Sequence, residues 1–274
     1  MLVNGLRRII LRSCPKFVFT RKHGIEDVLT MYTKGHFREA HTALSKLMAT
    51  QPRWAKGGDV YALCAELELL TNHDTDKASE LLRKAEQIGC SDIGYYYRVK
   101  AETLWDAGDH ETALQYFERS VATDTRERHL ISFAQALSCA RDKRALDVWQ
   151  EVLGKDPQNC LAHIYVGCEA AMSGDTEKAL LMAKKAEELH PSAEETFDLA
   201  RLYQELREFN TSIDNYLQAK KLGYEELGPL YAAVADCHLS LGDAVLGQKY
   251  AKRALRCDPE NDYVKEVWQK YGGK

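Results

Sequence analysis

The sequence repeats a helical pattern about every 34 residues. Small side chains recur on one helical stripe, and successive members are separated by 38, 35, 32, 34, 33 and 35 residues. These positions are Ala40, Ala78, Ala113, Ala145, Ala179, Ser212 and Gly247. A period of this length in a polar chain predicts stacked helical hairpins, because a single hairpin cannot bury its apolar side alone.

The segment 94–124 shows the pattern of one hairpin most clearly. Gly108-Asp109 breaks it into two halves, each with apolar or small residues at helical spacing. It resembles the tetratricopeptide repeat (TPR), whose second helix carries Ala-x3-Phe, here Ala113 and Phe117. Seven such units follow one another, at about residues 21–54, 59–92, 94–127, 126–159, 160–193, 193–226 and 228–261.

The resemblance implies an all-α solenoid of antiparallel helix pairs over residues 24–274, with 261–271 as a short C-terminal capping helix. No Ser/Gly-rich linker interrupts the repeats, so the solenoid is interpreted as one elongated domain. The fourth and sixth units lack glycine at their turns. Gly247 predicts that the second helix of the seventh unit lies unusually close to its partner.

Residues 1–23 differ from the rest of the chain. They carry six basic and no acidic residues, whereas residues 24–274 carry 31 basic and 41 acidic residues. An Arg-rich, acid-free, amphipathic start resembles a mitochondrial transit peptide. Two structural alternatives stay open: a basic cap on the first hairpin, or a segment that folds back into the acidic groove of the solenoid. Localisation is therefore predicted to be mitochondrial, with the cytoplasm as the alternative.

Motifs for catalysis are lacking in the sequence. The segment His110-Glu111-Thr112-Ala113-Leu114 begins like a zinc-protease motif but ends in Leu, and neither a phosphate-binding glycine loop nor a nucleophile elbow occurs. The eight cysteines form no Cys-x-x-Cys pair and fall mainly on helix stripes, which favours core packing in a reducing compartment. The sequence predicts a protein that is not an enzyme, with no cofactor and no metal.

The TPR resemblance also implies which side chains face a concave groove, namely those at positions 2, 5, 9 and 12 of each first helix. The predicted partner-binding residues are Leu63, Leu67, Tyr95, Arg98, Trp105, Leu130, Phe197 and Arg201. For Trp105, packing within its own hairpin is an equal alternative. The Lys/Asn/Arg clamp with which some family members bind chaperone C-terminal tails is not evident at these positions.

The expected function is therefore that of an adaptor or scaffold that holds a partner helix or peptide in a mostly apolar groove. The alternative is a structural subunit of a larger cytosolic assembly that docks through its convex face. Nucleic acid is not an expected partner because the repeats are acidic. No membrane span is expected because the sequence contains no apolar run of sufficient length.

Overall fold

The computed structural model describes residues 25–50 and 57–271. Within these ranges the regular elements are α-helices. They are α1 (Ile25–Thr33), α2 (Phe37–Thr50), α3 (Gly58–Asn72), α4 (Thr75–Ile88), α5 (Ile93–Asp106), α6 (His110–Thr123), α7 (Glu127–Cys139), α8 (Ala145–Lys155), α9 (Cys160–Met172), α10 (Thr176–Glu188), α11 (Ala193–Glu205), α12 (Phe209–Lys221), α13 (Leu227–Ser240), α14 (Ala244–Cys257) and α15 (Asp262–Lys270).

Consecutive helices pack as hairpins. Contacts join α1 to α2, α3 to α4, α5 to α6, α9 to α10, α11 to α12 and α13 to α14. The Trp149 Nε1 of α8 donates to the Ser138 Oγ of α7 over 3.0 Å. The last helix, α15, packs on both α13 and α14. The predicted all-α solenoid of helix pairs with a C-terminal capping helix is thereby confirmed.

The chain forms two compact units, one ending at Glu151 and the other beginning at Val152. We call the described residues up to 151 the N-terminal unit and residues 152–271 the C-terminal unit. The boundary falls inside α8. The sequence-based division into residues 1–23 and 24–274, and the interpretation of one elongated domain, stay predictions. Residues 1–23 lie outside the described residues.

The hairpin turns explain the Gly-Asp dipeptides of the sequence. Gly108 adopts φ 90°, a left-handed conformation that glycine reaches without steric cost. The next residue, Asp109, accepts a hydrogen bond from the Thr112 backbone N–H and caps α6. In three described hairpins whose turns lack glycine, the same left-handed conformation is taken by His73, Arg141 and Arg207, at φ 56°, 54° and 62°. A residue with a Cβ is strained there.

The seven small residues that revealed the period are all buried. The reason for Gly247 differs from the prediction. A Cβ at this position would collide with the side chain of Tyr271, whose hydroxyl donates to the Ala235 carbonyl. The glycine therefore admits the residue that follows the capping helix, whereas the sequence pattern attributed it to a close approach of α13 and α14.

Candidate functional site

The predicted groove residues divide between the two units. Phe197 and Arg201 lie on α11 of the C-terminal unit. The other six lie in the N-terminal unit, and each is 3% exposed or less: Leu63, Leu67, Tyr95, Arg98, Trp105 and Leu130. The sequence predicted an accessible groove at these six positions. The structure instead packs them inside the unit, and their role in binding a partner stays a prediction.

The interior of the N-terminal unit contains a buried charged group centred on Glu66 of α3. Its carboxylate accepts a hydrogen bond from the Tyr32 hydroxyl of α1 over 2.8 Å and another from the Tyr95 hydroxyl of α5. Arg98 Nη2 of α5 donates to Glu66 Oε1 over 2.8 Å, and Arg128 Nη2 of α7 donates to the same oxygen. We call these five residues the Glu66 cluster. It joins the first helices of four successive hairpins.

Two further polar groups extend the Glu66 cluster. Arg98 Nη1 donates to Glu102 Oε1 over 2.5 Å, and this oxygen also accepts from Ser132 Oγ over 3.1 Å. Glu66, Arg98, Glu102 and Arg128 are all buried. Two carboxylates thus oppose two guanidinium groups. Pairing of this kind is required when charge is removed from water.

The electrostatics of the cluster follow from burial and from the two arginines. Burial alone would raise the pKa of Glu66, but Arg128 and Arg98 outweigh it and lower that pKa to about 2. Burial raises the pKa of Glu102, and Arg98 only partly opposes this. Burial also raises the pKa of Tyr32 and of Tyr95, so both hydroxyls keep their protons and donate. The cluster is chemically suited to hold helices together.

Trp105 packs at the turn of its own hairpin. Its ring stacks on the His110 ring at the start of α6, with centroids 4.3 Å apart and planes inclined by 26°. The indole Nε1 is buried and has no hydrogen-bond partner among the described residues. This geometry favours the packing alternative for Trp105 over direct contact with a partner.

The two predicted residues of the C-terminal unit are more accessible. The half-buried Phe197 ring stacks on Tyr224 at 4.4 Å and meets the edge of Tyr216 at 5.2 Å. The Arg201 side chain is 42% exposed, and its Nη1 lies 3.3 Å from Asp198 Oδ1. Burial raises the pKa of Asp198, which Arg201 opposes. An aromatic ring held by two tyrosines thus lies one helical turn from an accessible cation.

Comparisons with known proteins test the repeat assignment. No family model matches the chain, and no curated protein matches it either. Solved structures do. A chain of the APC/C hetero-tetramer Cut9–Hcn1 is 14% identical, with a TM-score of 0.72, over 89% of this chain and 48% of that one. A tetratricopeptide repeat protein from Parabacteroides merdae is 13% identical, with a TM-score of 0.68, over 90% of this chain and 97% of that one. Yeast Tom70 is 13% identical, with a TM-score of 0.65, over 98% of this chain and 61% of that one.

The chain has the tetratricopeptide-repeat fold. It spans about half the length of the Cut9–Hcn1 chain and about three fifths of Tom70. At these identities the likeness concerns the fold alone, since TPR proteins bind many different partners.

The TPR repeat pattern did not reveal the Glu66 cluster. The predicted groove set contained Tyr95 and Arg98 but omitted Tyr32, Glu66 and Arg128. One signal was present in the sequence: Tyr32 and Glu66 are 34 residues apart, and Glu66 and Arg98 are 32 apart. Polar residues separated by one repeat period on first helices lie on neighbouring hairpins, so such pairs can be sought directly in TPR sequences.

The described parts of the TPR chain contain no group of three or more His, Cys, Asp or Glu side chains arranged to hold a metal ion. The cysteines of these parts are free, and burial raises the pKa of Cys64 to about 11 and that of Cys160 to about 12. Over the same residues, every helix is too short or too polar to traverse a lipid bilayer.

Proposed function

We propose that this protein is a non-catalytic scaffold that binds a helix or an extended peptide of a partner protein along the first helices of its TPR hairpins. The TPR fold supports an interaction role. The observation that carries the finer proposal is the accessible pair Phe197 and Arg201 on α11. A half-buried ring beside an exposed cation suits a partner that presents an apolar side chain next to a carboxylate.

The six buried members of the predicted groove set have a packing role in this proposal. In the proposal they keep the hairpins of the N-terminal unit in place, and Phe197 and Arg201 make the contact. A partner that displaced Arg98 would have to break its bonds to Glu66 and Glu102. Exposing such a pair is costly, whereas the Arg201 side chain, which pairs with Asp198, is already 42% exposed.

Quantitative capture of partners from a lysate by the purified full chain tests the proposal. We expect Arg201→Glu to weaken binding of the partner by about 2 kcal/mol or more, because it places a carboxylate opposite the carboxylate of the partner. Lys185→Glu on the second helix α10 is the matched control, since it makes the same charge change at an exposed lysine. Equal retention by both variants, with melting temperatures unchanged, would exclude Arg201 from the binding surface.

Phe197→Ala tests the aromatic half of the surface. The variant loses stacking on Tyr224, so melting is measured alongside capture. Leu181→Ala, which removes an exposed apolar side chain from α10, is its control. Partner loss without a comparable loss of melting temperature supports the surface, whereas loss of stability alone assigns Phe197 to packing.

We also propose that residues 1–23 direct the protein to mitochondria, on the basis of their six positive charges and lack of acidic residues. A fluorescent reporter fused to this segment should reach mitochondria, and replacement of Arg7, Arg8 and Arg12 by Glu should prevent it. A reporter that stays diffuse would favour the cytoplasmic alternative.

A further inference from the structure

Helix α14 carries an unusual charge distribution. Its 14 residues contain four basic side chains and no carboxylate, in a chain whose formal net charge is −4. Each of the other second helices of a hairpin contains at least one Asp or Glu. The residues flanking α14, Asp243 and Asp258, occupy its cap positions, and Asp243 accepts a hydrogen bond from the Leu246 backbone N–H.

The four cations of α14 form one exposed strip: Lys249, Lys252, Arg253 and Arg256. Each has like-charged neighbours three or four residues away on the same helix face, and such pairs destabilise a helix. None of the four forms an ion pair with another described residue. The helix dipole favours Arg256 near the C-terminus but gives no such benefit to Lys249 in the middle.

An apolar patch adjoins the N-terminal end of this strip. Its members are Leu239 at the end of α13, Leu241 in the turn, and Val245 and Leu246 at the start of α14. All four are exposed, and Val245 is 80% exposed. The capping helix does not cover them, although α15 packs on both α13 and α14.

We infer that the α14 strip and its apolar patch bind an acidic helical segment of a partner protein, with apolar side chains at the end that meets Val245. This surface lies on a second helix, so the inference is independent of the site at Phe197 and Arg201. Carboxylates of the bound segment would pair with the four cations and relieve their mutual repulsion. The patch would bury the apolar end of the segment.

The arrangement favours a protein segment over a polyanionic surface. The four cations extend over about 11 Å of one helix face, and Val245 lengthens this surface to about 17 Å, which matches about three turns of a single docked helix. The apolar residues lie at one end of the strip, whereas a membrane-binding helix interleaves them with the cations along its length.

Fluorescence anisotropy with a designed probe tests this inference on the full chain. The probe is a labelled helical peptide of about 14 residues, with glutamates on one face and leucines at one end. We expect binding that weakens as salt rises from about 50 to 200 mM. Three other ligands are tested for comparison: a peptide with lysine in place of glutamate, a single-stranded RNA oligonucleotide and phosphatidylserine vesicles.

The decisive variant is Lys249→Glu together with Lys252→Glu. The new carboxylates lie four residues before Arg253 and Arg256, a favourable spacing, so α14 should stay folded. Affinity for the acidic peptide should fall at least about tenfold. Lys184→Glu with Lys185→Glu, the same charge change on exposed residues of α10, should leave it unchanged.

Three results would overturn the inference: no binding of the acidic peptide, equal loss in both double variants, or tighter binding of the RNA or the vesicles. Val245→Asp should separately weaken binding of the acidic peptide, because the new carboxylate repels those of the peptide and the apolar contact is lost. The Arg201→Glu variant should bind this peptide normally, which distinguishes failure at α14 from failure at α11.

Discussion

The Glu66 cluster gives the sharpest test of what holds the N-terminal unit together. Glu66→Gln keeps the size of the side chain and removes its charge. The carboxyl group has an ordinary pKa of 4.5, which the cluster lowers to about 2. That shift corresponds to about 3 kcal/mol of preference for the charged form. Removing one partner of a buried ion pair costs a comparable roughly 3–5 kcal/mol.

We therefore expect Glu66→Gln to destabilise the protein by about 3 kcal/mol, seen as a melting transition roughly 6–12 °C lower by circular dichroism. Glu80→Gln is the matched control, because Glu80 forms an exposed pair with Lys84 on α4, only one helix further along the chain. Such surface pairs contribute about 0–1 kcal/mol. A loss below about 1 kcal/mol for Glu66→Gln would refute the role given to the buried charge.

The pH dependence supplies a second, independent measurement. Because the folded state lowers the pKa of Glu66, the unfolded chain takes up this proton more readily, and protonation favours unfolding. The stabilisation is fully present above about pH 4.5 and is lost as the pH falls toward 2. The difference in stability between wild type and Glu66→Gln should therefore shrink over this window. A difference that stays constant would mean that the charge is not responsible.

Three further predictions address individual positions. Burial lowers the pKa of His129 from 6.5 to about 4, so protonation of this residue favours unfolding. Urea titrations should show that the free energy of unfolding falls by about 2 kcal/mol between pH 7 and pH 5 because of His129. The His129→Gln variant should lack this decrease. Ala113→Leu should cost roughly 1–3 kcal/mol by overpacking, whereas Ala107→Leu at an exposed turn position should melt like wild type. Arg207→Gly should raise the melting temperature by relieving the left-handed strain at φ 62°. Arg207→Val should lower the free energy of unfolding by about 1 kcal/mol or more, which thermal melting also measures.

The sequence predicted the hairpins well because their signals are local. A small residue such as Ala113 is buried where two helices of one hairpin meet, and a Gly-Asp turn needs only its own residues. All seven small positions are buried. The turns at Arg141 and Arg207 also formed without glycine, since the surrounding helices hold the strained residue in place.

The buried charges and close contacts could not be predicted in the same way. Whether Tyr32 and Arg128 reach the same carboxylate depends on how tightly the first helices of four successive hairpins converge in the N-terminal unit. The repeat phase identifies which face of a helix a side chain occupies, but not whether that face stays open. The contact of Gly247 with Tyr271 likewise depends on where the chain passes after the capping helix.

These differences bear on where a partner can bind. In the N-terminal unit, Arg98 is already paired twice, and a ligand would have to replace those bonds with equally good ones before it gained any affinity. In the C-terminal unit, the Arg201 side chain is 42% exposed beside Asp198, and the four cations of α14 are exposed, with Arg253 over the Tyr250 ring. A carboxylate can therefore approach them without opening a buried network. Arg98 and Arg201, which the repeat pattern assigned to the same groove, thus differ in the energy that a ligand needs to reach them. Partner-binding residues of this chain are therefore to be sought among exposed cations beside apolar side chains, whichever helix of a hairpin carries them.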